Sequence, residues 1–236
     1  MSNTACLTSA FPKESVSPVF LFRPKDPISA LTHFLGAAAA VFATPVLLIR
    51  SAQAGADLMD MVCLSVFMLS MILLYCASTA YHSFHISQKV DLLLKKMDHL
   101  SIFLLIAGSY TPVCRIVLTP GPGMKMLALV WGVAAAGMIF KLFWVTCPKW
   151  VSSVIYIAMG WLCTLALPQL VADLSASNFL WLLAGGLFYT VGGVIYALRI
   201  PVFHGRIPGF GAHELFHLFV LAGSFCHFMV MMRLPF

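Results

Sequence analysis

Charged residues are scarce in this sequence. Aspartate, glutamate, lysine and arginine make up only 9% of its 236 residues, whereas 61% are hydrophobic. Soluble domains carry about 25% charged residues and at most about 50% apolar ones. So few charges cannot cover a water-soluble fold of this size, whereas lipid solvates an apolar exterior directly. The composition therefore excludes an ordinary soluble domain and predicts a single membrane-embedded domain.

Other patterns are missing as well. The seven cysteines include no CxxC pair and lie mostly inside apolar runs, so we interpret them as small buried residues rather than as a disulfide framework or a thiolate metal site. The net charge of +6 comes from dispersed residues without a basic stripe. This distribution argues against nucleic-acid binding and favours topology control and contact with anionic lipid.

The first residues lack the apolar core and the cleavage site of a signal peptide. We therefore expect a cytoplasmic N-terminal tail at 1–28, with an interfacial patch at 19–22, and a transmembrane domain at 29–236. No linker between apolar runs is long enough for a soluble domain, and no internal repeat is present.

Long apolar runs dominate the remainder of the chain. A membrane-spanning helix needs about 20 mostly apolar residues. Candidate spans 1 to 7 lie at 29–49, 58–81, 98–118, 123–145, 150–171, 178–198 and 213–232. Pro45, Pro112 and Pro168 lie in or near these spans and predict local kinks. The sequence thus predicts an all-α bundle of seven transmembrane helices.

The distribution of basic residues predicts the orientation of the bundle. Cytoplasmic loops are enriched in lysine and arginine. With seven spans, one membrane face receives ten basic residues: Lys13, Arg23, Lys25, Lys89, Lys95, Lys96, Lys141, Lys149, Arg199 and Arg206. The other face receives only Arg50, Arg115, Lys125 and Arg233. The N-terminus is therefore predicted to be cytoplasmic and the C-terminus external.

Four polar residues share the cytoplasmic ends of these spans. His82 ends span 2, Asp98 opens span 3, and His213 and His217 open span 7 one helical turn apart. Because successive spans alternate in direction, the four side chains are predicted to lie at a similar depth. Three histidines suit tetrahedral Zn²⁺ with a water in the open position. Asp98 is placed to bind or orient that water.

Two further residues neighbour this group. Ser78 lies one turn before His82, and Glu214 follows His213, so both are candidates to orient the histidines. Residues 213–217 also match the HExxH signature of soluble zinc proteases. A zinc protease needs a soluble substrate cleft, and Glu214 points about 100° away from His213 on a helix. We therefore do not assign Glu214 as a proteolytic base.

The other histidines have simpler interpretations. A single histidine at a helix end is usually interfacial, and a histidine pair four residues apart also arises by chance. His227 lies ten residues beyond His217, about 15 Å deeper along a helix, and is expected to be a packed polar residue. His33 is expected to pack in the core or to assist the site. Interfacial positions are expected for His85, His99 and His204.

These residues lie in segments that resemble the hemolysin III family, the bacterial branch of the progestin and adipoQ receptor group that includes the adiponectin receptors. The resemblance extends from Asp26 to Met232. It is carried by the segments Ser29–His33 (SALTH), Ser78–His82 (STAYH), Asp98–His99, Gly108–Pro112 (GSYTP) and His213–His217 (HELFH).

The resemblance implies a seven-helix bundle with a cytoplasmic N-terminus in the bacterial inner membrane. It also implies Zn²⁺ bound by His82, His213 and His217, with Asp98 holding the water and Ser78 beside it. The wider group includes alkaline ceramidases, so the resemblance implies hydrolysis of lipid amides. The chain lacks the long N-terminal domain of the animal receptors, which argues against a receptor role.

The leading hypothesis is a zinc-dependent hydrolase that acts on a lipid or lipid-like amide or ester. Asp98 and Ser78 would assist the chemistry, with Asp98 accepting the proton of the water. One alternative is a receptor or sensor in which zinc is structural. Another is a pore-forming cytolysin, although no export signal is recognised. Transport ranks last because the polar cluster lies near one membrane face rather than at its midplane. The pattern does not specify an oligomeric state.

Overall fold

The computed structural model describes residues 24–201 and 209–236. All regular elements in these ranges are helices: α1 (Pro27–Gln53), α2 (Leu58–Ser83), α3 (Gln88–Pro112), α4 (Pro120–Phe143), α5 (Lys149–Gly160), α6 (Leu167–Asp173), α7 (Ala176–Leu198) and α8 (Ala212–Met231). A π-helical segment, Val113–Val117, extends α3, and a 3₁₀ segment, Trp161–Ala166, joins α5 to α6.

These elements form seven helices long and apolar enough to cross a membrane. The predicted seven-helix class is therefore confirmed. Helix α1 begins two residues before the predicted domain start. The predicted interfacial patch at 19–22 and His204 lie outside the described residues.

Polar side chains begin several of the helices. The Asp57 carboxylate accepts a hydrogen bond from the Asp60 N–H at 2.7 Å at the start of α2. This bond holds the pKa of Asp57 below its ordinary value. Ser87 and Ser175 accept equivalent bonds in the first turns of α3 and α7. Such caps satisfy N–H groups that have no partner within the helix, which is essential where no water is available.

The helices break where proline removes a hydrogen-bond donor. The π segment directly follows Pro112, and the 3₁₀ segment ends just before Pro168. Pro45, in contrast, lies inside the continuous helix α1. Proline lacks an N–H and crowds the preceding turn, so the local helix type changes at the two former positions. Pro168 thus marks the division of span 5 into two helices, and the span itself is retained.

Helix packing brings the first and the last helix together. Helix α2 packs between α1 and α3, α7 packs along α8, and α8 also contacts α1. Apolar side chains such as Phe67, Phe103 and Val130 are fully buried between the helices. Others, including Phe42 and Phe143, are exposed on the outer surface. An apolar exterior around a packed interior is expected for a protein solvated by lipid.

Helix α4 contains a fully buried lysine. The Lys141 ammonium donates hydrogen bonds to Ser152 Oγ at 2.5 Å and to Cys147 Sγ at 3.1 Å. Lys141 is predicted among the cytoplasmic charges, and Cys147 among the small apolar residues. In the structure Lys141 bonds to Cys147 and to Ser152 across the turn between α4 and α5. This polar cluster satisfies the lysine inside the protein and joins the two helices.

Gly123 allows close packing at the start of α4. A Cβ atom at this position would collide with the carbonyl oxygen of Cys114. Gly132 lies in the same helix with no heavy atom within 4 Å of the corresponding Cβ position. We expect Gly123→Ala to destabilise the protein by about 1–3 kcal/mol, because backbone cannot move away like a side chain. Thermal unfolding in detergent measures the effect.

Gly132→Ala is the matched control. Alanine favours a helix interior over glycine by about 1 kcal/mol, so this variant should unfold at the wild-type temperature or above. Equal melting temperatures for the two variants would contradict the close contact between α4 and the end of span 3.

The membrane orientation remains a prediction that reporter fusions can test. Alkaline phosphatase, which folds only outside the cytoplasm, should be active when fused after Phe236. The same enzyme inserted after Ile86, between α2 and α3, should be inactive, because that turn lies on the face with more basic residues. The opposite pattern would reverse the orientation.

Candidate metal centre

Three histidines converge where α2 ends and α8 begins. The Nε2 atoms of His82 and His213 are 3.1 Å apart, and one ring nitrogen from each of His82, His213 and His217 lies within 4.8 Å of the others. Zn–N bonds of about 2.0–2.1 Å in a tetrahedral site place ligand nitrogens roughly 3.4 Å apart. A small adjustment of the rings would therefore bring the three nitrogens to the spacing that zinc requires.

Asp26 orients the His82 ring. The Nδ1–H of His82 donates to the Asp26 carboxylate at 2.8 Å, and the Asp26 N–H donates to the His82 carbonyl at 2.9 Å. With Nδ1 protonated, the lone pair of His82 lies on Nε2, which faces His213. Carboxylates commonly orient metal-binding histidines in this way. Asp26 is not among the residues predicted for the site, although its position just before span 1 predicts the same membrane face for it.

The His217 ring is held by residues of α1. His33 stacks flat on it, with ring centroids 3.7 Å apart and an angle of 8° between the planes. The Thr32 hydroxyl lies 3.5 Å from His217 Nδ1. His33 is not one of the three clustered histidines, and its flat stacking restricts the plane of the His217 ring. This contact and the burial of His33 agree with the core packing expected for it, whereas assistance to the site remains a prediction.

The donor set itself fits zinc. His82 and His217 are each only 2% exposed, and the buried Nδ1 atom of His213 has no hydrogen-bond partner among the described residues. The Tyr196 ring packs beside His213, with centroids 5.3 Å apart. Neutral imidazoles in a buried three-histidine arrangement suit Zn²⁺ with one coordination position open. The structure therefore places all three predicted ligands at one site.

Asp98 and Ser78 line the cavity next to the histidines. Asp98 is 9% exposed and lies within electrostatic range of His82, but outside the group of three clustered ligands. The Ser78 hydroxyl is buried beside the Asp98 carboxyl without a hydrogen bond of ordinary geometry. Asp98, the predicted acid–base residue, therefore lies near the three candidate ligand histidines but is not one of the ligands.

Glu214 bonds to residues other than the histidines that it was expected to orient. Its carboxylate accepts hydrogen bonds from the Ser29 hydroxyl and from the Gly211 N–H, both at 2.9 Å. Glu214 therefore caps the first turn of helix α8 and connects this helix to α1. Glu214 positions the helix that carries His213 and His217, rather than a ligand ring.

His99 lies deeper than the interfacial position expected for it. Its ring lines the same cavity, its Nδ1–H donates to the Lys95 carbonyl at 2.8 Å, and this nitrogen is 3.6 Å from Asp98. The difference arises because α5 covers this part of α3, with the Tyr156 hydroxyl donating to the His99 carbonyl. A pattern within α3 alone carries no information about that contact.

The remaining described histidines lie away from the cluster. His85 is exposed and pairs with Asp91, as expected for an interfacial residue. His227 packs against the Tyr189 ring at a centroid distance of 5.3 Å and lines the deep end of the cavity. This agrees with the packed position predicted from its spacing along the helix.

A cavity of about 670 Å³ extends from the histidines into the bundle. It reaches His227, about 15 Å from His217 along α8. Between these ends its wall is mostly apolar and includes Leu74, Ile102, Leu105, Ile106, Ile157, Leu182 and Val220. A long, apolar space that begins at a polar cluster is suited to a lipid chain.

Comparison with known proteins agrees with this architecture. The profile of the "Haemolysin-III related" family matches residues 22–228. This chain belongs to that family. It is 37% identical to "Hemolysin-3" of Bacillus cereus over 211 residues, which cover 89% of this chain and 92% of the relative. Together, the seven spans and the bacterial relatives identify a multi-pass bacterial membrane protein.

Two more members of this wider group are similar. "Hemolysin-3 homolog" of Bacillus subtilis (strain 168) is 36% identical over 221 residues, covering 92% of this chain and 99% of the relative. "Adiponectin receptor protein" of Drosophila melanogaster is 37% identical over only 60 residues, covering 24% of this chain and 14% of the relative. The long matches to the bacterial proteins and the short match to the receptor agree with the resemblance found in the sequence.

The role of Asp26 can be tested through metal affinity. Removing a carboxylate that orients a metal-binding histidine typically costs 10–100-fold in affinity. We therefore expect Asp26→Ala to bind Zn²⁺ about 10–100-fold more weakly than wild type, as measured by competition with a chromophoric chelator in detergent. Asp91→Ala is the control, because Asp91 bonds the exposed His85 instead. Wild-type affinity in Asp26→Ala would show that His82 does not depend on this bond.

Proposed function

We propose that this protein is a zinc-dependent hydrolase that cleaves an amide or ester bond of a lipid inside the membrane. The observation that carries the proposal is the position of the three histidines at one end of an apolar cavity whose wall also bears Asp98. Metal ligands, an acid–base group and space for an acyl chain are thereby adjacent. These are the parts that hydrolysis of a lipid amide or ester requires.

His82, His213 and His217 would hold the ion, and their burial excludes bulk water from it. Bound zinc supplies a Lewis acid that polarises a carbonyl group and lowers the pKa of water toward about 7. Asp98 accepts a proton from the attacking water and returns it to the leaving nitrogen or oxygen. Ser78 lies beside the Asp98 carboxyl. The apolar wall holds the acyl chain, so the scissile bond is presented near the histidines.

The proposal is tested on protein purified in detergent without chelators. Zinc content is measured for wild type, His82→Ala, Asp98→Asn and the control His85→Ala, and each is assayed with a ceramide and with an acyl ester. We expect wild type and His85→Ala to hold one zinc per chain and to be active. His82→Ala should lose both zinc and activity. Asp98→Asn should keep zinc but lose about 100-fold or more of its rate, the usual contribution of a general base.

Two outcomes would contradict the assignment. Stoichiometric zinc without turnover of any acyl-chain amide or ester would remove the hydrolase function. Full activity of Asp98→Asn would remove Asp98 from the mechanism.

The alternative hypothesis for the same site is a receptor or sensor in which zinc has a structural role. It is supported by the hydrogen bonds that already join α1, α2 and α8 through Asp26 and Glu214, where an ion would add a further link. In that case chelation would lower the melting temperature, and Asp98→Asn would leave ligand responses intact. No acyl-chain substrate would be consumed.

Membrane lysis is a second candidate function, because both Bacillus relatives are named as hemolysins. Purified protein added to liposomes loaded with a fluorescent dye tests it directly. Leakage that persists in His82→Ala would support a pore independent of the histidines. Intact liposomes would exclude a direct lytic activity.

A further inference from the structure

Four basic residues surround the cavity near the histidines, and we call them the basic rim: Lys25, Lys95, Lys149 and Arg199. Lys95 and Lys149 line the cavity themselves. The Lys25 ammonium lies 3.8 Å above the ring of Tyr81, which also lines it. Arg199 ends α7 and lies within electrostatic range of Lys149. Lys95 and Lys149 thus place positive charge in the cavity wall, and Lys25 and Arg199 add positive charge nearby.

The basic rim has no ion pairs within the described residues. The nearby carboxylates have other partners: Asp26 bonds to His82, and Glu214 bonds to Ser29 and Gly211. Asp98 lies within electrostatic range of Lys25 and Lys95 but pairs with neither. Lys95 and Lys149 are half-buried, whereas Lys25 and Arg199 are exposed. Half-buried ammonium groups without an ion-pair partner carry a desolvation cost that an anionic ligand would offset.

Membrane topology alone does not account for this placement. Basic residues are expected throughout the cytoplasmic face, and Lys89 and Lys96 meet that expectation without lining the cavity. Lys96 follows Lys95 directly and therefore points about 100° away on the helix. Lys149, in contrast, is held at the wall by a cation–π contact of 4.1 Å with Tyr196. Lys95 and Lys149 are therefore directed toward the cavity, whereas Lys89 and Lys96 are not.

We propose that the cavity binds acyl lipids with a phosphate-bearing head group. The phosphate would contact Lys95 and Lys149, with Arg199 and Lys25 adding longer-range attraction. The acyl chain would occupy the apolar part of the cavity. A bond between head group and chain would then lie near His82, His213 and His217, so the substrate class of the proposed hydrolase is a phosphorylated acyl lipid. That last assignment rests on the proposed function, whereas the binding preference does not.

The preference can be measured without catalysis. Hexadecyl phosphate and hexadecanol share one chain and contain no carboxylic amide or ester bond, so the proposed acyl hydrolysis cannot affect the result. Binding of each to the purified full-length protein is measured in a neutral detergent, with inorganic phosphate as a third ligand. A charge-assisted hydrogen bond contributes about 1.5–3 kcal/mol, so wild type should bind the alkyl phosphate about tenfold or more tightly than the alcohol. Inorganic phosphate should bind much more weakly, because it lacks the chain.

Matched double variants then locate the phosphate site. Lys95→Met/Lys149→Met should bind the two alkyl ligands equally, because methionine keeps an apolar stem and loses the charge. Lys89→Met/Lys96→Met removes the same charge from the same membrane face and should keep the wild-type preference. Unchanged hexadecanol affinity in both variants shows that the cavity remains folded.

Three results would overturn the proposal. Equal affinity of wild type for the two alkyl ligands would remove the head-group preference. An equal loss of the preference for hexadecyl phosphate in both double variants would show only a general attraction of the phosphate to the charged membrane face. Inorganic phosphate binding as tightly as hexadecyl phosphate would assign the rim to a free anion instead of a lipid. A preserved preference in a protein that hydrolyses no lipid would refute the proposed function and leave this binding site standing.

Discussion

The pair of hydrogen bonds between Asp26 and His82 joins the segment before α1 to the end of α2. Through Nδ1 it also determines which His82 nitrogen faces α8. The Ser29–Glu214 bond then connects α1 to the first turn of α8, which carries the other two histidines. The His82 ring is almost fully buried, so its N–H must find a partner within the protein. The bonds of Asp26 and Glu214 therefore join three helices that are distant in sequence at one point.

The same requirement separates polar from apolar surfaces along the cavity. The three clustered histidines, Asp98 and two lysines lie at one end, where helix ends meet, and mostly aliphatic side chains separate them from His227 and Tyr189 at the other. Span 5 contributes to this space through its break into α5 and α6 at the 3₁₀ segment. In the proposed binding mode, the basic rim, the histidines and the apolar wall follow one another along the cavity. That order corresponds to the order of head group, polar linkage and chain in a lipid.

Much of this architecture could be predicted from local pattern. Hydropathy indicated seven spans, because each helix must satisfy its own backbone and present apolar side chains to lipid. Alternation of span direction then placed His82, His213 and His217 at one depth, and the structure brings them within ligand distance of one another. The four-residue spacing of His213 and His217 required only the helical period. These features depend on residues close in sequence or on the membrane boundary.

Hydropathy and helical period act locally, so they were sufficient to predict the number of spans and the helical class; with the alternation of span direction they also predicted a common depth for the three histidines. Helix packing was needed to establish that Asp26 bonds to His82, that Glu214 bonds across to α1 and that Lys141 is buried against Cys147 and Ser152. It also decided which lysines line the cavity. Each of these contacts joins different segments of the chain, and helix packing selects them through side-chain shape and rotation about the helix axis, which no local pattern encodes.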